Sequence, residues 1–317
     1  MTVRAVIPTW NRRDLTLAVI RNLQSQTRPP EEIVVVDNGS TDGTADALPA
    51  QVRLIRFETN RGFAPAVNEG ARDAATTFLA IVNNDVTLAP HWLEQLTSQP
   101  APFATGKILQ AHDPTKIDGA FDLLSRGATA WRAGHGESVH KYEQSRSILI
   151  PSFTAVVIRT ALFHELGGLD EQYGSYYEDV DFGLRAALAG HRGQYVPTAL
   201  AYHLGSATLG AWHPDTVRLL SRNQLLLARK HFPLWHFACP ILVAQGLWGL
   251  VAARHGRLGA WLRGKWQGVR TPLLTPPRKH PRLEEVIHAC ERELRSLEAP
   301  SQSPYWRWYF RLAGGPR

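Results

Sequence analysis

The sequence predicts an α/β protein: a mostly parallel sheet flanked by helices, with a helical extension at the C-terminal end. Three observations predict it. Short, mostly apolar runs at residues 3–7 (interrupted only by Arg4), 33–36 and 78–82 stop abruptly at polar residues, the pattern of strands buried on both faces of a sheet. Helically spaced apolar residues lie between them, and strand–helix alternation at this spacing gives a right-handed, mostly parallel sheet. Beyond residue 210 the character changes to Leu- and Trp-rich stretches punctuated by Arg and Lys.

The first strand, residues 3–7, runs into Pro8-Thr9-Trp10-Asn11-Arg12. Asp14 then caps a helix carrying Leu15, Val19, Ile20 and Leu23, and Pro29-Pro30 breaks the chain. The second strand ends at Asp37-Asn38-Gly39-Ser40-Thr41-Asp42, and a helix is expected through Ala45 and Leu48. Residues 52–57 form a third strand. Asn60-Arg61-Gly62-Phe63 leads into a helix over 64–73, and the fourth strand ends at Asn83-Asn84-Asp85. Residues 100–150 are broken by glycines and read as strands and loops.

A further strand is expected at 153–158, followed by a turn at Leu166-Gly167-Gly168-Leu169-Asp170. The helix from Glu178 to Gly190 has Val180, Leu184, Ala187 and Leu188 on one face and glycine at its end. Two short extended segments, 195–197 and 199–202, precede His203. Residues 214–231 read as an amphipathic helix and 234–253 as a largely apolar stretch. A basic stretch with Trp261 and Trp266 fills 254–270. Pro272, Pro276 and Pro277 mark a linker before a charged helix over 283–297.

At 317 residues the chain holds one large domain plus an appendage, divided as 1–210 and 211–317. Two cysteines, Cys239 and Cys290, exclude a disulfide framework and a zinc site and suit a reducing cytosol. Met1 leads directly into a strand, so no export signal is expected. The net charge of +7 is uneven: residues 211–317 carry 17 Lys and Arg against 6 Asp and Glu. A basic tail on a near-neutral body calls for an anionic partner, a membrane or a nucleic acid.

The ends of parallel strands gather on one edge, where α/β sheets bind their ligands. That edge brings together Thr9 and Asn11, Asp37, and Asn83, Asn84 and Asp85. Asp37 suits a base or ribose, and Gly39, Gly43 and Gly62 permit tight turns and close backbone approach. Asp85 suits a hard divalent cation held jointly with substrate phosphates. The competing readings are ordinary ones: a turn rich in helix caps at Asp37–Ser40, and a helix cap at residues 83–85.

Five segments in order resemble glycosyltransferase family 2. They are residues 6–12; residues 33–42 with their Asp37-Asn38-Gly39-Ser40-Thr41-Asp42 end; Asn60-Arg61-Gly62-Phe63 with Asn68; Asn83-Asn84-Asp85; and Glu178-Asp179-Val180-Asp181-Phe182-Gly183-Leu184-Arg185. The likeness covers residues 3 to about 208 and is greatest to the bacterial branch of rhamnosyltransferases and galactofuranosyltransferases. It implies a GT-A fold, whose mostly parallel sheet binds a nucleotide-diphospho-sugar. By that resemblance Asp37 contacts the base, while Thr9, Asn11, Gly39, Arg61, Gly62, Asn68, Asn83 and Asn84 line the donor site. Asp85 is the metal-binding carboxylate of the family's Asp-x-Asp motif, with Asn83 in place of the first acid.

The resemblance also implies a divalent metal, Mg²⁺ or Mn²⁺, and a general base in the acidic segment. Asp179 is the expected base and Glu178 the alternative. Both stand at a helix start, which favours ionised acids, and Asp181 and Arg185 are spaced for an ion pair. His203 is the expected second metal ligand. The expected reaction is inverting transfer of one sugar, dTDP-L-rhamnose being the first candidate donor, to a cell-envelope glycan or lipid-linked acceptor.

The Gln-x-x-Arg-Trp signature of processive synthases is absent. A nucleotide-binding oxidoreductase is the less favoured class, because no Gly-x-Gly-x-x-Gly turn follows the first strand. Nucleic-acid binding by the basic aromatic tail is disfavoured because the body carries no such motif. Residues 232–270 are therefore expected to lie against the inner face of the plasma membrane, with packing on the body or self-association into a homo-oligomer as the alternatives.

Overall fold

The computed structural model describes residues 1–205, 212–274, 280–298 and 303–314. The expected boundary at 210 and the prolines Pro276 and Pro277 lie outside the described residues. The chain forms two compact units: Met1–Phe121 with Gly134–Ala207, and Asp122–Ala133 with Thr208–Arg317.

The first unit begins with β1 (Val3–Thr9), α1 (Arg13–Gln24), β2 (Glu32–Asp37), β3 (Arg53–Arg56), α2 (Phe63–Ala71) and β4 (Phe78–Val82). It continues with β5 (Val86–Leu88), α3 (Trp92–Thr97), β6 (Phe103–Gln110) and β7 (Asp113–Gly119). The hairpin β8 (Asp122–Leu124) and β9 (Ala130–Arg132) belongs to the second unit. The chain then returns through β10 (Arg146–Ile148), β11 (Ala155–Arg159), α4 (Thr160–Glu165), α5 (Glu178–Leu188) and β12 (Gly193–His203).

The strand order is β10-β12-β6-β11-β4-β1-β2-β3. The parallel expectation holds for β4-β1-β2-β3, with Thr9 beside Asp37 at the strand ends. The other half is mixed. β11 runs antiparallel between β4 and β6, β12 is parallel to β6, and β5 and β10 are antiparallel to β12. Every residue of β1 and β4 is buried, as strands covered on both faces must be. Val3, Ala5 and Ile7 pack with Val19, Ile20 and Leu23 of α1 and Trp92 and Leu93 of α3. On the opposite face, α2 approaches so closely that a Cβ on Gly70 would lie 2.5 Å from Val6.

Two expected elements differ. The helix through Ala45 and Leu48 is a single 3₁₀ turn, Ala45–Ala47. Asp42 accepts from the Thr44 amide at 3.1 Å, and Leu48, preceding Pro49, is extended (φ −69°, ψ 139°), as a residue before proline prefers. The segments 195–197 and 199–202 are one strand, β12, whose register shifts between Val196 and Leu200. Pro197 has no amide hydrogen to give the ladder, which is where bulges form.

The second unit adds α6 (Pro214–His231), α7 (Ala238–Arg254), α8 (Leu258–Arg270), α9 (Leu283–Glu298) and α10 (Pro304–Leu312). The division 1–210 and 211–317 is thus corrected at residues 122–133. Leu123 and Leu124 are buried, and the Leu124 amide donates to Cys290 Sγ on α9 at 3.0 Å. Arg126 pairs with Glu291, and Gln245 on α7 donates to the Gly127 carbonyl at 2.9 Å. Short-range sequence pattern carries no sign of these distant partners. Both cysteines are free.

Candidate active site

The loops after β1 and β2 are laced together at the sheet edge. Asp37, fully buried, accepts from the Ser40 amide at 2.9 Å through Oδ1. Its Oδ2 lies 3.4 Å from Arg56 Nε without a hydrogen bond, so one oxygen still has acceptor capacity. Asn11 (φ +50°) donates its amide to Ser40 Oγ at 2.9 Å and accepts from the Thr41 amide at 2.8 Å. Gly39 must be glycine: φ is +78°, and a Cβ would meet Glu58 O at 2.9 Å.

Thr9 is buried and fully engaged. Asn84 Nδ2 donates to its hydroxyl at 2.8 Å, and that hydroxyl bonds Thr16 Oγ1 at 2.6 Å. Thr16 in turn donates to the Arg12 carbonyl at 2.8 Å. Thr9 therefore acts on the site by holding the Asn84 amide.

Asn38 joins the next loop, donating to the Gly62 carbonyl at 3.1 Å and accepting from the Arg61 amide at 3.3 Å. The half-exposed Arg61 guanidinium stacks over Phe57 at 4.6 Å and lies 3.7 Å from Glu171. Gly62 caps α2 at φ +97°. Asn68 is turned away to a structural task. Its Nδ2 donates to the Leu169 carbonyl at 2.8 Å and to Glu171 at 3.1 Å, and its Oδ1 accepts from the Leu169 amide at 2.8 Å.

The structure brings Asp85 and His203 together. β12 pairs with β5 so that His203 faces Val86, and the Leu204 amide donates to the Asp85 carbonyl at 3.1 Å. His203 Nε2 lies 3.3 Å from Asp85 Oδ1, and Nδ1 lies 2.9 Å from Asp118 Oδ2. Burial disfavours an imidazolium here, but the hydrogen bonds to Asp118 and Asp85 outweigh it and push the pKa up to about 9. Asn83 Oδ1 is buried with no hydrogen-bond partner. A carboxylate, an imidazole and an amide oxygen suit Mn²⁺ or Mg²⁺ in donor chemistry. Among the described residues no three His, Cys, Asp or Glu side chains gather into a ready-made cage, so the remaining positions fall to substrate oxygens and water.

The segment before α5 links the acidic motif to the donor loops. The Ala64 amide donates to the Gly174 carbonyl at 2.8 Å and the Phe63 amide to Ser175 Oγ at 3.1 Å, satisfying the first turn of α2. Immediately after Ser175, Tyr176 and Tyr177 both hold positive φ, 70° and 75°, a costly conformation for bulky residues. Arg185 pairs with Asp181 at 2.7 Å, as the spacing predicted, and Tyr173 donates to Asp181 at 3.1 Å. Asp179 is half-buried, with Oδ1 accepting from the Val180 amide at 2.8 Å.

Glu178 corrects the expectation that both acids are held ionised. Burial, then the Asp179 and Asp181 charges, raise its pKa well above the usual carboxylate range, and Oε2 has no partner. Helix-start stabilisation is a surface-scale effect of about 0.3–1 kcal/mol, and desolvation of a buried acid is larger. Asp118, Ser175 and Glu171 escaped sequence reasoning. Asp118 lies in the glycine-broken stretch, next to last in β7, and no motif marked it.

Comparison with known proteins gives concordant findings. The sequence matches the profile of Glycosyl transferase family 2 over residues 5–167. It is similar to an N-acetylglucosaminyl-diphospho-decaprenol L-rhamnosyltransferase of Mycobacterium tuberculosis, 28% identical over 254 residues, covering 68% of this chain and 80% of that protein. It is similar to the O-antigen biosynthesis protein RfbC of Myxococcus xanthus, 31% identical over 60% of this chain but only 16% of that protein. The fold is similar to that of GalNAc-T7, solved with UDP, GalNAc and Mn²⁺, at a TM-score of 0.63 and 14% identity, covering 98% of this chain and 56% of that one.

Proposed function

Because the chain belongs to glycosyltransferase family 2, we propose that it transfers one sugar, with inversion and in the presence of Mg²⁺ or Mn²⁺, from a nucleotide-diphosphate donor to a hydroxyl of a cell-envelope glycan or lipid-linked acceptor. The observation that carries this reading is the meeting of Asp85 and His203, from distant parts of the chain, 3.3 Å apart beside the ends of the parallel strands. The donor nucleotide occupies the loops bearing Asp37, Asn11, Gly39, Arg61 and Gly62. Asp37 Oδ2 accepts from the base. Thr9 and Asn68 position these loops from behind, through the hydrogen bonds described above.

Asp85, His203 and Asn83 Oδ1 would hold the cation, which when bound would supply Lewis-acid stabilisation of the departing diphosphate. Asp179 takes the acceptor proton as its oxygen attacks the anomeric carbon, a role worth about 10²–10⁴-fold. Glu178 is the poorer base because burial, with the Asp179 and Asp181 charges, disfavours its ionised form. dTDP-L-rhamnose is the first candidate donor, supported by the rhamnosyltransferase likeness.

The second unit suits contact with the inner face of the plasma membrane. No helix among the described residues is long and apolar enough to cross a membrane. Leu242 and Leu250 on α7 are exposed, as are Leu258, Leu262, Trp266 and Val269 on α8. Arg270 stacks on Trp266 at 3.8 Å, and residues 216–283 contain no Asp or Glu. Exposed apolar stripes in a stretch rich in cations fit an anionic lipid surface.

The test is turnover of a panel of dTDP-, UDP- and GDP-sugars with Mn²⁺, Mg²⁺ or excess chelator. Release of a nucleoside diphosphate that needs both metal and acceptor supports the reading. Equal activity in chelator overturns the metal assignment.

A further inference from the structure

We propose that Asp118 is a positioning residue of the metal site, fixing the His203 ring so that Nε2 is its ligand atom. The inference rests on the reading of Asp85 and His203 as metal ligands. Asp118 lies on β7, whose ladder with β6 is irregular at this point. Ile108 pairs with Gly119 and Leu109 with Ile117, so Asp118 is the extra residue of a bulge. Bulges re-aim a side chain that a regular ladder would direct elsewhere. Here the carboxylate reaches His203 Nδ1 at 2.9 Å, with both side chains about nine-tenths buried. The Asp118 carbonyl accepts from His135 Nδ1 at 2.8 Å, which ties down the same residue from its backbone.

The chemistry follows from what each atom is able to do. An ionised carboxylate only accepts, so the proton between Asp118 and His203 belongs to Nδ1. A ring that keeps its proton on Nδ1 presents the Nε2 lone pair, and Nε2 is the atom beside Asp85. Histidines that bind metals are oriented in this way by a carboxylate on the other nitrogen, and loss of that partner costs about 10–100-fold in metal affinity. Asp118 itself stands on the far side of the ring from Asp85 and is not a ligand.

The experiment is Mn²⁺ titration by electron paramagnetic resonance, with UDP, dTDP or GDP present, on the full chain and on Asp118→Asn and Asp118→Ala. The alanine variant is expected to bind Mn²⁺ about 10–100-fold more weakly. The asparagine variant keeps an oxygen that accepts from Nδ1 and should stay within a few-fold of the parent. ¹⁵N-histidine spectra of the Mg²⁺-loaded chain should show His203 protonated on Nδ1 in the parent and in Asp118→Asn, and a tautomer mixture in Asp118→Ala. Parent-like Mn²⁺ affinity in Asp118→Ala overturns the proposal, as does an equal loss in Asp118→Asn or a loss tracking reduced helical content by circular dichroism. A parent chain that binds no Mn²⁺ with any of the three nucleotides overturns the metal reading and this inference together.

Discussion

Gly62 and Gly174 touch backbone to backbone: a Cβ on Gly62 would lie 2.8 Å from the Gly174 carbonyl carbon. Gly62 also sits at φ +97° and ψ 177°, a region open essentially only to glycine and costing others about 1–3 kcal/mol. Gly62→Ala should therefore lower the melting temperature by several degrees and weaken donor binding, because the Asn38 and Arg61 contacts shift with it. A melting curve that superposes on the parent's would contradict this.

The acids at the start of α5 should separate by substitution. Asp179→Asn should retain donor binding and lose about 10²–10⁴-fold in turnover, whereas Glu178→Gln swaps one neutral group for another and should stay within tenfold. Steady-state rates with a saturating donor distinguish them. Near-parental turnover in Asp179→Asn would remove it as the base.

Glu178 also makes a pH prediction. Its folded pKa is raised above its ordinary value, so the folded state holds the proton more tightly than the unfolded chain. Stability from this group is therefore lost as pH rises above the ordinary carboxylate range. Glu178→Gln should gain stability over the parent from pH 5 upward and match it at lower pH. Denaturant melts at several pH values read this directly, and a constant difference would refute it.

Lys265 gives the opposite slope in the second unit. Burial pushes its pKa down to about 7, although Ser221 O and Gln224 accept from its ammonium at 2.8 and 3.1 Å and Gln245 accepts as well. Between pH 7 and 10 the unfolded chain holds more protons here, so stability rises with pH. The stability of Lys265→Met relative to the parent should fall steadily across that window, whatever its starting sign.

Membrane contact predicts co-sedimentation with anionic liposomes at low salt and release at high salt, since exposed charges are screened. Leu242→Glu, Leu262→Glu and Trp266→Glu combined should abolish it while the α/β unit keeps donor hydrolysis. The substitutions are placed at exposed positions, because deleting 232–270 would remove α7 and most of α8 from a packed unit. Sedimentation unaffected by the triple change would assign these faces another role.

The strands most legible in the sequence are those of the parallel half that are buried on both faces, β1, β2 and β4. Residues 3–7, 33–36 and 78–82 announce themselves as apolar runs, and their polar ends identify the site edge. Illegible were features decided by remote contacts. The bulge at Asp118 depends on how β7 meets β6, and the protonation of Glu178 depends on what covers it. The Thr9 and Asn68 side chains carry the family pattern, yet only the structure shows them bonded to Asn84 and to the 169–171 turn.

The hairpin 122–133 has a consequence for how the chain is made. Its partner on α9, Cys290, emerges from the ribosome 166 residues after Leu124, a delay fixed by sequence order. Until then Leu124 lacks its partner Cys290 on α9, and apolar strands left incompletely covered are where nascent chains aggregate. A nonsense codon near residue 280 would therefore do more than shorten the protein: it would strand a sticky loop in the middle of the catalytic unit's own sequence.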